Sequence, residues 1–110
     1  MASDESFVTF VCEQIRHAGS VQFRKMFGEY AIYCGDKMVA LVCDNQLFVK
    51  PTAAGRALIP RPVQAPPYPQ AKPWLLIADE LDDPAALTLL IATTARELPT
   101  PKPKAVRKRG

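Results

Sequence analysis

The chain has 110 residues, enough for one domain with one modest core. Apolar residues make up 48% and charged residues 23%, an ordinary globular balance. No apolar run approaches the roughly 20 residues that a helical membrane span needs, so a helical membrane protein is excluded. The net charge of +3 is unevenly spread. Residues 99–110, PTPKPKAVRKRG, hold five bases and no acid, and the rest carries nine bases against eleven acids. The body is therefore mildly acidic, and a basic nucleic-acid-binding surface is not expected on it. The opening MASDESF is acidic and unlike a secretory leader, so a cytoplasmic location is expected.

Residues 4–18 are predicted to form a helix, capped by Ser3 or Asp4. Phe7, Val11, Ile15 and Ala18 share one face, and Gly19 ends the helix. Residues 21–27 alternate apolar and polar at first and read as a short extended segment. Three strands follow, 30–34, 37–43 and 46–50. The two-residue turns Gly35-Asp36 and Asp44-Asn45 join them into an antiparallel meander. Pro51 stops the last strand, because proline cannot donate to the ladder. Thr52 caps a short helix running to about Leu58. Six prolines within residues 59–73 rule out a helix or a central strand and leave room for an edge strand near 63–68. The run WLLIA, residues 74–78, reads as a buried strand. Asp83-Pro84 opens a second long helix, with Leu87, Ile91 and Leu98 on its inner face. Beyond residue 98 the chain is expected to be disordered. Two segments follow: a folded domain over 1–98 and a basic tail over 99–110. The fold class is α+β, a two-layer antiparallel sheet with helices in the order α-β-β-β-α-β-β-α.

Two-residue loops at both turns fix a register. In that register Ala31, Tyr33, Met38, Ala40, Val42, Leu47 and Val49 share one face, and Tyr30, Ile32, Val39, Leu41, Cys43 and Phe48 the other. Both faces are apolar, whereas a sheet covered by helices on one side normally has a polar second face. Something must cover it: the proline-rich segment, a helix or another subunit. Tyr30, Ile32, Val39, Leu41 and Phe48 are the candidate interface for a protein partner or a homodimer. Cys43 is placed opposite residue 28, on the order of 20 Å from Cys34 at 3.3 Å per residue, too far for a disulfide or a shared metal.

Catalytic chemistry is not visible. The lone histidine, His17, lies near a helix end, where it serves as a solvent-facing or dipole partner. No Cys, His, Asp and Glu cluster has metal spacing, no glycine-rich phosphate loop is present, and candidate nucleophiles lack a base. The acidic run Asp79, Glu80, Asp82 and Asp83 reads as a turn and a helix cap. No cofactor, no metal and no membrane contact are expected, and enzymatic activity is not. The leading reading is a small non-enzymatic interaction or regulatory domain. The alternative is a nucleic-acid-associated accessory protein, for competence or transcription regulation. It would contact phosphates weakly through Lys102, Lys104, Arg107, Lys108 and Arg109.

The stretch KMFGEYAIYC, residues 25–34, with GDKMVALV after it and LFVK at 47–50, resembles the signature of the TfoX N-terminal domain (TfoX/Sxy family). The family reads as an MFGGYG-type start, a turn, a KMFAL-type strand and an LYLK-type strand. Residues 81–87, LDDPAAL, are similar to the family's DPEAL helix start. The resemblance covers roughly residues 5–98. Glu29 and Ala31 stand where glycine is common. The resemblance implies a two-layer, secretion-chaperone-like domain and makes residues 63–68 a strand despite the prolines. Full-length members carry a second, C-terminal domain and regulate natural competence beside a transcription activator. Stand-alone domains of the family lend no catalytic residue to this chain.

Overall fold

The computed structural model describes residues 3–26 and 28–99. Helix α1 spans Glu5–Gln14, and a 3₁₀ turn, Arg16–Ala18, carries the chain to Gly19. Strands β1 (Val21–Met26), β2 (Glu29–Cys34), β3 (Lys37–Cys43) and β4 (Gln46–Val49) follow. Then come helix α2 (Ala53–Ala57), strands β5 (Val63–Ala65) and β6 (Trp74–Ile77), a 3₁₀ turn at Asp79–Asp82 and helix α3 (Pro84–Glu97). The α+β class and the element order agree with the sequence reading. The extended segment at 21–27 joins the sheet as β1, and the strand among the prolines is cut to three residues.

The local causes are those the sequence suggests. Asp44 and Asn45 both take positive φ, 54° and 56°, which these two side chains tolerate and a tight hairpin turn requires. The Thr52 hydroxyl accepts the Gly55 N–H at 3.0 Å and so caps α2. Asp83 accepts the Ala86 N–H at 3.2 Å, with Pro84 in the first turn of α3. The expected cap on α1 takes another form. Asp4 occupies the N-cap position with its carbonyl accepting from Phe7 and Val8, but its side chain makes no cap bond and faces Asn45 instead.

The sheet is fully antiparallel, in the order β1-β2-β3-β4-β6-β5. The helices lie on one side of it. Val8, Val11 and Ile15 of the N-terminal helical segment and Leu87, Leu90 and Ile91 of α3 pack on Val42, Leu47, Val49 and Leu75. Burying each such side chain stabilises the fold by about 1.5–3 kcal/mol.

The register departs from the expected one at a single point. Tyr33 pairs with Met38 as expected, but Ile32 pairs with Ala40, Ala31 with Leu41 and Tyr30 with Val42. Val39 is the extra residue, a β-bulge in β3. A slip of one residue turns every side chain beyond it to the other face. Tyr30 and Ile32 therefore join the helix-side core, together with Val39, and Ala31 turns to the opposite face. Cys43 comes opposite Glu29 rather than residue 28. The separation of the cysteines survives this correction. Cys34 lies in the helix-side core, Cys43 on the far face, and both are free thiols.

Candidate docking face

The face turned away from the helices is apolar, and the strand pairings resolve it into rows. The central row runs Arg24, Ala31, Leu41, Phe48, Leu76 and Val63. On one side of it Gln22, Tyr33 and Met38 are aligned across β1, β2 and β3, and Trp74 pairs with Ala65 across β6 and β5. On the other side Met26 pairs with Glu29, and Cys43 with Gln46. Ala31, Leu41, Cys43 and Phe48 form a second buried cluster, with Met26, Met38, Tyr33 and Trp74 packed against it. Among the described residues no helix packs on this cluster.

A groove of about 400 Å³ is set into this face. Leu41 and Cys43 form its floor, and Met26, Met38, Trp74 and Tyr68 wall it. Tyr68 arrives from the proline-rich loop. The main-chain N–H of Ala71 bonds the carbonyl of Tyr68 at 3.1 Å, and Gln70 within that turn holds φ 73°. The proline-rich segment thus lends one exposed aromatic ring to the face. Its volume is that of a site for one or two large side chains.

Two cations and one carboxylate accompany the apolar surface. The Arg24 guanidinium stands 5.2 Å from the centre of the Tyr33 ring, and the Lys50 ammonium 5.9 Å from that of Trp74. Glu29 lies at the groove edge. One of its oxygens accepts the Ser3 N–H at 2.9 Å and the other the Asp44 N–H at 3.0 Å. Burial alone would raise this carboxyl, but hydrogen bonds from Ser3 and from the Asp44 N–H outweigh burial and hold it below its ordinary 4.5. Burial, helped by the Glu29 charge, pushes the Cys43 thiol up to about 11. Cys43 is therefore a protonated, sluggish nucleophile at neutral pH. Among the described residues no group of three or more His, Cys, Asp or Glu side chains is placed to hold a metal ion.

A family model for the TfoX N-terminal domain matches residues 13–98. The chain belongs to that family. It is also similar to a relative from Spirochaeta aurantia named "Uncharacterized 12.7 kDa protein in trpE 5'region". The two are 39% identical over 104 residues, 94% of this chain and 90% of the relative. In this TfoX-type domain the docking face falls wholly inside the matched segment. The clamp on Glu29, at a position where the family commonly has glycine, reaches out to Ser3, which precedes that segment.

Of the five interface candidates, Leu41 and Phe48 lie on the open face, and Tyr30 also lines its groove. Ile32 and Val39 are fully buried beneath the helices. The tail candidates Lys102, Lys104, Arg107, Lys108 and Arg109 lie outside the described residues. The sequence reading missed Met26, Met38, Tyr68 and Trp74, having put Met38 on the face away from Leu41 and Phe48. Trp74 was legible through its alternation with Leu76; Tyr68, in a loop without periodicity, was not. Among the described residues no helix is long and apolar enough to cross a membrane.

Proposed function

We propose that this chain is a small, non-enzymatic interaction domain of a regulatory system in the cytoplasm. It engages a protein partner through the sheet face opposite its helices. The observation that carries this reading is the apolar groove of about 400 Å³ between Tyr68, Trp74 and Met26, on a face that no helix covers among the described residues. Membership of the TfoX N-terminal domain family supports a regulatory role.

The test is affinity capture from the source cell with the wild-type chain, Tyr68→Asp and Met38→Asp, each verified as folded by circular dichroism. A protein lost by both variants and rebinding the wild type in purified form, at a defined stoichiometry by calorimetry, supports the reading. A wild type that retains nothing the variants lose sinks it.

A further inference from the structure

We propose that the docking face takes an acidic–apolar polypeptide segment, whose large side chain enters the groove and whose carboxylates reach Arg24 and Lys50. This rests on the docking reading above and adds the chemistry of the partner. Arg24 and Lys50 both project from the open face, each poised over an aromatic ring. Neither has a carboxylate partner among the described residues, where the one ion pair is Arg16 with Glu13 on the helix side. The single carboxylate beside the groove, Glu29, already spends both oxygens on main-chain N–H groups. Asp36 and Lys37 lie with Lys50 at the Tyr33–Met38 edge of the face, and Asp36 forms no ion pair with it among the described residues. The face thus offers an apolar slot and two cations without an ion-pair partner, with one acid, Asp36, at its rim. A partner gains most by supplying apolar surface and negative charge together.

The spacing narrows the shape of the segment. Arg24 is on β1, and Lys50 immediately follows β4, three strands away. Strand spacing then sets the two cations about 15 Å apart across the sheet. An extended segment spans that distance in about five residues, with its central side chain over the groove. A second copy of the chain fits less well, because face-to-face stacking brings four cations together with only the Asp36 carboxylate of each copy, at the rim, to offset them. A nucleic acid would find two cations around an apolar slot rather than a basic track.

Trp74 is the only tryptophan of the chain and lines the groove, so its emission reports occupancy directly. The probes are three decapeptides in which Leu and Phe alternate with Glu, with Gln or with Lys, and a ten-nucleotide single-stranded DNA. All are titrated into the 110-residue chain. The expected result is a saturable Trp74 shift with the Glu peptide, about tenfold weaker or more with the Gln peptide and absent with the Lys peptide. Arg24→Gln/Lys50→Gln and 0.5 M salt should each weaken the Glu peptide by a similar factor. Binding confined to the basic tail would survive that double variant.

Equal shifts with all three peptides, lost on Tyr68→Ala, would overturn the acidic preference and keep the docking face. A larger shift with the oligonucleotide would overturn the proposal in favour of nucleic acid. A shift on raising the protein concentration alone, with doubled mass in sedimentation, would overturn it in favour of a second copy. No shift with any probe up to millimolar concentration would overturn both this proposal and the docking reading.

Discussion

Glu29 accepts the main-chain N–H of Asp44 at 3.0 Å while its other oxygen holds the N–H of Ser3 at 2.9 Å. Asn45 completes the clamp: its own N–H bonds the Ser3 hydroxyl at 2.9 Å, and its amide oxygen accepts the Asp4 N–H at 2.8 Å. Ser3 and Asp4 are thereby pinned to the turn between β3 and β4.

The carboxyl of Glu29 is held below its ordinary value of 4.5, so the clamp should respond to acid. A lowered folded value means stability present in full above the unfolded value and lost as pH falls through the folded one. The protection factors of the Ser3 and Asp44 amides, measured against intrinsic exchange at each pH, should hold down to the ordinary carboxyl value of 4.5 and fall as the pH drops below it. Glu29→Gln should remove this pH dependence and leave the sheet amides protected. A Gln variant with the same acid transition would show that another group drives it.

Gly55 sits where α2 meets α3. A methyl at this position would lie 2.8 Å from the Thr52 hydroxyl, 3.2 Å from that of Thr94 and 3.3 Å from Leu90. In an open helix Gly→Ala gains about 0.5–1 kcal/mol. Here the methyl displaces the cap on Gly55 and presses on the fully buried Thr94, whose hydroxyl bonds the Leu90 carbonyl at 2.8 Å. Gly55→Ala should therefore destabilise by about 1–3 kcal/mol in urea unfolding. A gain in stability would show that α2 moves away from α3 at little cost.

The three cysteines should be quiet. Burial pushes Cys12 up to about 11, with the Glu13 charge adding to it, and Cys43 reaches the same value through burial and Glu29. Cys34 is also raised by burial, with Lys37 opposing. Against the ordinary thiol value of 9.0, Cys12 and Cys43 hold on the order of 100-fold less thiolate at neutral pH. Native protein at pH 8 should thus react slowly with a disulfide reagent, and denatured protein should release three equivalents at once. Fast stoichiometric labelling of the native chain would contradict the burial seen here.

The long helices, both hairpin turns and the caps at Thr52 and Asp83 were legible in the sequence because each rests on neighbouring residues. The faces of the sheet were less so. Val39-Ala40-Leu41-Val42 is apolar throughout, so nothing in the residue types marks Val39 as the bulged one, and the turn at 35–36 fixes register only as far as Tyr33 and Met38. The conclusion that both faces are apolar survived, since exchanging Tyr30 and Ile32 for Ala31 and Tyr33 swaps like for like. Leu41, Cys43 and Phe48 kept their shared face, but their expected neighbours Tyr30, Ile32 and Val39 gave way to Ala31, Tyr33 and Met38. The groove was illegible for another reason: Met26, Met38, Trp74 and Tyr68 come from four separate segments that only the folded sheet brings together.

The basic tail makes a separable prediction. The family match ends at residue 98, and five of the fourteen bases of the chain follow it. Five phosphate contacts on duplex DNA would give a salt slope of about −4.5 in log–log form, so weak binding at 50 mM salt would fall about 500-fold by 200 mM. The remainder carries nine bases against eleven acids and should repel a polyanion. Any retention on a DNA column at low salt should therefore vanish when residues 100–110 are removed, while the Trp74 response to the acidic peptide persists. Retention that outlives the truncation would place the DNA contact on the folded domain, and a full chain that passes through the column at 50 mM salt would remove the nucleic-acid reading altogether.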